Sequence, residues 1–429
     1  MKLVSSVRAK VCMVILVALM VGWTSVARAE NNRRIVMFLD GTPLWLQQQI
    51  VTLTGSQVIH VLSLINALAI ELPLVGDVLD VVAILLSNPA VIGVFDDSLV
   101  FADAITAVPA EDVPQEESYD WGQDRIGVPA VHQRLPRLQG TGVRIAVLDT
   151  GADVDHPDLQ IVDGYNAMRG GKRKPYRDDN GHGTHITGII AARMNDRGIV
   201  GVAPQASIMA VKVLDHNGAG YVSDLINGLQ WVYAERIRLV NMSLGFSKDS
   251  VPLERAIERL HRRGVIMVAS AGNRTGSSST TADGGGTEEG GGDAGEDTAS
   301  ACDASADNGV RYPARYFEVI AVAATDYKDW ITDYSLAGPE VDVAAPGGAM
   351  VSERILSTKW GGGYGLASGT SQAAAHVTGS IALMLQRKPD LSFGRVLDLL
   401  QKTAWDLGYP EARQGAGLID VQHLVEALE

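Results

Sequence analysis

The sequence has almost no cysteine: Cys12 and Cys302 are the two in 429 residues. Cys12 falls in the N-terminal apolar stretch, so once that stretch is removed only Cys302 remains and no internal disulfide can form. Cys302 is expected as an unpaired thiol in a loop. Positive charge is also short, with 36 Lys and Arg against 50 Asp and Glu and a net charge of -14. That balance argues against nucleic acid as a partner, because binding phosphates needs clustered cations. No apolar run is fit to span a bilayer. Val11–Trp23 falls well short of the roughly 20 residues a spanning helix needs. It follows Lys2, Arg8 and Lys10 and precedes Ala27-Arg28-Ala29, so residues 1–29 read as a secretory signal cut after Ala29, leaving an exported chain with no anchor. Residues 58–86 are also apolar, but Pro73, Gly76, Asp77 and Asp80 interrupt them, which fits a buried core better than a membrane span. Nor does a G-x-G-x-x-G follow the first strand of the larger unit, which removes a dinucleotide-binding reading.

What is present divides into two units, within the two or three domains that this length allows. In the first, residues 34–39, 58–62, 67–72 and 91–95 read as strands, and 43–53 and 75–86 as helices. The order β-α-β-β-α-β predicts a small ferredoxin-like α+β unit. Residues 102–118, with Pro109, Pro114 and several carboxylates, read as an exposed linker that closes a 30–118 segment. From 119 to 429, buried-strand candidates (143–148, 208–214, 239–242, 265–269, 319–323) alternate with helix candidates (223–236, 253–263, 372–386). This predicts an α/β fold, a doubly wound, mostly parallel sheet with helices on both faces. Residues 274–310 interrupt the pattern with nine Gly, eight carboxylates and one Arg, and read as a disordered or loosely ordered surface insertion.

Three motifs stand at element ends. Ala146-Val-Leu-Asp-Thr-Gly151 ends an apolar strand in a carboxylate, where ligands bind in doubly wound sheets. Asn180-Gly-His-Gly-Thr-His-Ile-Thr-Gly188 flanks His182 with glycines; His185 follows, but no Glu or Cys completes a zinc set. Ser368-Gly-Thr-Ser371 opens an Ala-rich helix, whose first amides can stabilise a developing oxyanion. A serine hydroxyl needs a base, and the base an orienting acid.

Taken in order, Val147-Leu-Asp-Thr-Gly151, Gly181-His-Gly-Thr-His185 and Gly369-Thr-Ser371 resemble the motifs of the subtilisin-like serine proteases, over about Trp121–Leu428 without the insertion. The resemblance implies a secreted serine endopeptidase acting on proteins or peptides, with Asp149, His182 and Ser371 as its triad. It implies Asn273, at the end of Val268-Ala-Ser-Ala-Gly-Asn273, as oxyanion donor with the Ser371 amide, and Ala271 and Gly272 beside it as cleft wall. Ser243, Leu244 and Gly245 resemble the strand along the substrate cleft, and Gly218, Ala219 and Gly220 the facing edge. Gln372 and Ala375 stand where the family usually has Met and Pro, without touching the triad. The N-terminal unit resembles the family's propeptide, a folding aid and inhibitor, with Asn88–Asp96 matching its last strand.

Further expectations follow from the resemblance. Asp158, Arg193, Asn195, Arg197 and Ile199 match a calcium site, with Glu117 able to complete it. Arg311, just before Tyr312-Pro313, falls at the base of the primary pocket and would favour an acidic residue before the cut. The precursor should cut itself between about Phe101 and Tyr119, its tail lying as a strand beside Gly218–Gly220 and Ser243–Gly245. The product is expected as a monomer. The rival reading is an inactive protein of the same fold that binds a partner through its acidic insertion.

Overall fold

The computed structural model describes residues 32–73, 78–103, 105–109, 116–169, 176–274, 309–349 and 353–428. The expected signal, residues 275–308 of the expected insertion, and Cys302 lie outside the described residues. The N-terminal unit runs β1 (Arg33–Phe38), α1 (Leu44–Thr52), β2 (Gln57–Leu62), β3 (Ala67–Glu71), α2 (Val78–Ser87) and β4 (Val91–Asp96). Its antiparallel sheet has the order β2-β3-β1-β4, the ferredoxin-like arrangement. Its strands are apolar at successive positions because both faces are covered. Val36, Phe38, Leu68 and Ile70 meet Ile50, Val51, Val81 and Leu85 of the two helices. Ile35, Met37, Ala67 and Ala69 point the other way, into a core shared with the larger unit. The apolar character of residues 58–86 is therefore that of a sheet and helix buried in protein.

The larger unit is built on seven parallel strands: β7 (Arg144–Asp149), β8 (Ile161–Asn166), β9 (Ser207–Lys212), β11 (Leu239–Met242), β13 (Ile266–Ser270), β14 (Val319–Thr325) and β15 (Val341–Pro346). Their order is β15-β14-β13-β11-β7-β9-β8. Side chains alternate across it. Ile145, Val147, Ile266, Val268, Ile320 and Val322 lie on one face, with α3 (His182–Ala191) and α6 (Thr370–Arg387). Ala146, Leu148, Val240, Met242, Met267 and Ala269 lie on the other, with α4 (Val222–Ala234) and α5 (Val251–His261). From β7 the chain goes to the edge strand β8, returns through β9, then crosses to β11 on the other side of β7 and winds outward to β15, so Asp149, the last residue of β7, sits where the direction of winding changes.

The segment expected as an exposed linker is structured in its first half. β5 (Leu99–Ala102) pairs antiparallel on one side with β10 (Ala219–Tyr221) and on the other with β12 (Leu244–Gly245). β6 (Ile105–Pro109) pairs antiparallel with β17 (Tyr364–Ser368), which in turn pairs with β16 (Ile355–Thr358). Composition missed this because the partner edges come from residues more than a hundred positions away. Such a segment gains order from hydrogen bonds to a distant template and not from its own apolar content.

The two units are also joined by charge. The Arg33 guanidinium donates to Asp97 Oδ2 at 2.8 Å and to Ser223 Oγ at 2.7 Å, and lies over the Tyr221 ring at 3.6 Å. Asp97 accepts from the Ser223 amide at the start of α4 and from its hydroxyl, while His60 bonds Asp224 at 2.6 Å. Burial pushes Asp97 above the usual carboxylate range, and the Arg33 charge and the Ser223 hydrogen bonds pull it back only in part. Replacing Arg33 with Met leaves two buried carboxylates short of a counter-charge. The loss of unfolding stability should be roughly 3 kcal/mol, the scale for breaking a buried pair. Urea denaturation of the uncleaved chain measures it, and an unchanged midpoint would mark these contacts as incidental.

Candidate active site

Asp149 ends β7 fully buried, and its Oδ1 lies 2.7 Å from Nδ1 of His182, the first residue of α3. The sequence did not single out what holds this helix start in place. Asp178, four residues before His182, accepts from the amides of Asn180, Gly181 and Thr184, each at 2.9 Å, and from the hydroxyls of Thr150 and Thr184. Burial opposes its ionisation, but the hydrogen bonds from Thr184, Gly181, Asn180 and Thr150 outweigh it and hold the pKa below the ordinary value. An acidic run just ahead of a helix was the signal available for it. Burial also works against a charged His182, yet the Asp149 charge and hydrogen bond, with Asp178 and Asp103 adding, raise its pKa above 6.5. His182 Nε2 is buried with no hydrogen-bond partner, a free site for a proton. His185 points elsewhere, its Nε2 3.2 Å from Gly365 O, and burial lowers its pKa to about 3.

Ser371 is the second residue of α6. Its Oγ donates to the carbonyl oxygen of Asp103 at 2.5 Å and reaches Ser243 O at 3.2 Å. The carbonyl of Asp103 also accepts from Asn273 Nδ2 at 3.0 Å. The orientation of the Asn273 amide is fixed from its other side, where Oδ1 accepts from the Thr370 amide at 3.1 Å and hydroxyl at 2.9 Å. A Cβ on Gly369 would fall 2.9 Å from Asp103 O and 3.0 Å from Asn273 Nδ2, so only glycine lets a carbonyl reach this position. The Ser371 amide, expected as the second donor, makes no backbone hydrogen bond to Asp103 O. The Ser371 hydroxyl occupies that side of the oxygen and is turned to it in place of His182.

The cleft residues fall on both sides of β5. Gly218 O accepts from Ala102 N at 2.9 Å, Ala219 and Gly220 pair with Phe101 and Val100, and Leu244 and Gly245 with Ala102 and Phe101. Leu244 contributes only main chain, its side chain being in the core. Ser243 O accepts from Asp103 N at 3.3 Å, and Ser243 Oγ donates to Ser371 O at 3.1 Å, tying the cleft strand to the helix that carries Ser371. Ala271 O accepts from Arg311 N at 2.9 Å and Gly272 N donates to Thr370 Oγ1 at 3.2 Å, forming the wall toward Arg311. A hydroxyl and a carboxamide thus meet on one peptide carbonyl, and an imidazole backed by a carboxylate keeps one nitrogen free, the groups that acyl transfer requires.

Comparison with known proteins agrees with this geometry. A profile described as "Subtilase family" matches residues 140–418. Subtilisin E of Bacillus subtilis (strain 168) is 37% identical over 306 residues, covering 71% of this chain and 71% of its own. Subtilisin of Bacillus pumilus is 37% identical over 306 residues, 71% of this chain and 98% of its own. A thermostable alkaline protease of Halalkalibacterium halodurans is 36% identical over 308 residues, 72% and 74% of the two chains. The chain belongs to the subtilase family. It is a subtilisin-like serine endopeptidase, with proteins as its substrates.

The Asn273 carboxamide donates to the Asp103 carbonyl oxygen, the position expected of an oxyanion donor. Replacing Asn273 with Ala should lower kcat by about 10²–10³-fold with little change in KM, a magnitude carried over from subtilisin itself. Steady-state kinetics on a peptide amide measures it. An equal loss confined to KM would mean that the donor binds ground state and transition state alike.

Proposed function

We propose that this subtilase is a secreted, self-processing precursor, with Asp149, His182 and Ser371 as its triad, Asn273 as oxyanion donor, and the bond between Asp103 and Ala104 as the one it cuts in itself. The observation that carries the reading is the Asp103 carbonyl, held between Ser371 Oγ at 2.5 Å and Asn273 Nδ2 at 3.0 Å while β5 lies in the cleft. In the first half-reaction Ser371 Oγ adds to the Asp103 carbonyl carbon and gives its proton to His182 Nε2. The oxygen gains charge against Asn273 Nδ2. The C–N bond breaks, His182 returns the proton to the Ala104 amine, and residues up to 103 remain as an ester on Ser371. Water, deprotonated by His182, then releases the Asp103 carboxylate and restores Ser371. Asp149 holds the imidazole tautomer and favours its charged form.

In this reading residues 1–29 are the export signal, 30–103 the propeptide, and 119–429 the catalytic domain, with the intervening residues retained as its new N-terminus. The propeptide stays on after cutting, because the Arg33–Asp97 cluster and the shared core do not depend on the peptide bond. It then inhibits by filling the cleft as product. Ser371→Ala should fold and remain whole, while the wild type separates into two fragments, the larger beginning at Ala104. Mass spectrometry of both proteins, made in a protease-deficient host, decides it. Maturation of Ser371→Ala, or a new N-terminus well away from 104, would defeat the self-processing reading.

A structural calcium is proposed at the 193–199 loop. Asp158 Oδ1 accepts from Asn195 Nδ2 at 2.7 Å, and Glu117 accepts from the amides of Asn195 and Asp196. Asn195 Oδ1 is left buried with no partner. That orphaned oxygen, beside two carboxylates, fits an oxygen-ligated cation. The carbonyls of Arg193, Arg197 and Ile199 line the same loop, Arg193 being tied to Asp158 O at 2.9 Å and Ile199 bridged to Ser118. Among the described residues no group of three or more His, Cys, Asp or Glu stands ready for a metal, so the site would rest on carbonyls and one amide as much as on carboxylates. A chelator should lower Tm by several degrees and added Ca²⁺ restore it. A Tm indifferent to both would dispose of the site.

A further inference from the structure

Asp103 does more than present its carbonyl. Its side chain enters the pocket between β12 and the strand end at 270–272, where Ser270 Oγ donates to Asp103 Oδ2 at 2.9 Å. The stem of Arg311 lines one wall. A Cβ on Gly245 would lie 2.7 Å from Asp103 Oδ2 and 2.9 Å from Arg311 Cβ, and one on Gly272 would lie 2.4 Å from Arg311 Cγ. The arginine stem therefore runs between two glycines, in the space their missing side chains leave, and its charge acts on the carboxylate without a direct ion pair. Its backbone is fixed from both walls: Arg311 N donates to Ala271 O at 2.9 Å, and Tyr312 and Phe246 exchange two hydrogen bonds of 3.0 Å. Burial pushes the Asp103 carboxyl up to about 6, and the Ser270 hydrogen bond and then the Arg311 charge pull against that rise.

Resting on the active-site reading above, we infer that this enzyme is selective for aspartate on the acyl side of the cut bond, with Ser270 and Arg311 as the residues that read it. Three features lead there. The stem of Arg311 takes up depth that a large apolar side chain would need, so Leu and Phe lose their pocket. The guanidinium rejects Lys and Arg by charge. The carboxylate already reaches Ser270 with one methylene, so Glu, one carbon longer, must crowd the arginine. Asn matches Asp in shape and can accept from Ser270 but carries no charge, so the Asp-to-Asn ratio isolates the contribution of Arg311. By the same logic the enzyme's own maturation site is an example of its substrate class.

The test uses the matured enzyme and quenched peptides differing only at the residue before the cut: Asp, Glu, Asn, Leu, Phe and Lys. Labelling of Ser371 by a serine-reactive phosphonate is followed in parallel. The expected result is kcat/KM for Asp at least about tenfold above Asn and above Leu, the scale of about 1.4 kcal/mol that a nearby cation supplies in a partly buried pocket, with Lys not cut. In Arg311→Gln the Asp preference should fall to near parity with Asn while phosphonate labelling persists. As a check that does not depend on that variant maturing, Asp103→Lys should stall self-cleavage in the precursor and Arg311→Asp in the same chain should restore it. Labelled, active enzyme that cuts after Leu or Phe as fast as after Asp, unchanged by Arg311→Gln, overturns the selectivity and leaves the active-site reading intact. Absence of both labelling and hydrolysis overturns the active-site reading, and this inference with it.

Discussion

The arrangement depends on one interaction: the antiparallel seating of Leu99–Ala102 between Ala219–Tyr221 and Leu244–Gly245. Main-chain hydrogen bonds on both sides fix the register of the segment, and register decides which carbonyl meets Ser371. A slip of one residue would carry the Asp103 carboxyl out of the pocket and present a different oxygen to Asn273. The hydrogen bonds are indifferent to side chains, so they bind without choosing. In the proposed selectivity, choice falls to the pocket below Asp103, where Ser270 donates to the carboxylate and the Arg311 charge lies nearby.

That seating needs the N-terminal unit to hold its end of the chain. β4 ends at Asp96, and Asp97 caps α4 through the Ser223 amide while pairing with Arg33. Only Ser98 separates this anchor from β5. The same helix therefore receives the N-terminal sheet on its side chains and fixes the start of the cleft strand at its N-terminus. Under the proposed self-processing, inhibition and presentation for cutting would be one geometry, differing only in whether the bond after Asp103 is intact.

The catalytic groups rest on a second set of buried charges. Asp149, His182 and Asp178 would be costly to bury singly. Together they support one another: Asp178 has five donors, Asp149 Oδ1 has the imidazole and the Thr150 amide while its Oδ2 is buried without a partner, and His182 has two carboxylates around it. The remaining unpaired nitrogen, Nε2, is the one that the proposed chemistry uses. Lys212 closes the neighbouring turn by donating to the carbonyls of Thr150 and Leu214.

The fold class and the three motif residues could be read from the sequence because they are local. Buried parallel strands must be continuously apolar, as at 144–149 and 266–270, and a strand-ending Asp or a helix-opening Ser shows in its neighbours. Asp178 was overlooked because it lies just outside the quoted motifs, and only the fold brings Thr150 and Thr184, one from each of two motifs, onto its carboxylate. Residues 102–118 read as a linker because a segment ordered by distant strand edges carries no apolar periodicity, and nothing local marks Asp103 among the carboxylates of that stretch. Sequence by itself thus determined which groups could do acyl transfer and that a distinct unit precedes them. Only the tertiary structure decided which carbonyl lies on Ser371 and that the stem of Arg311 shares a pocket with the Asp103 side chain, since both depend on register and on the approach of chain segments some two hundred residues apart.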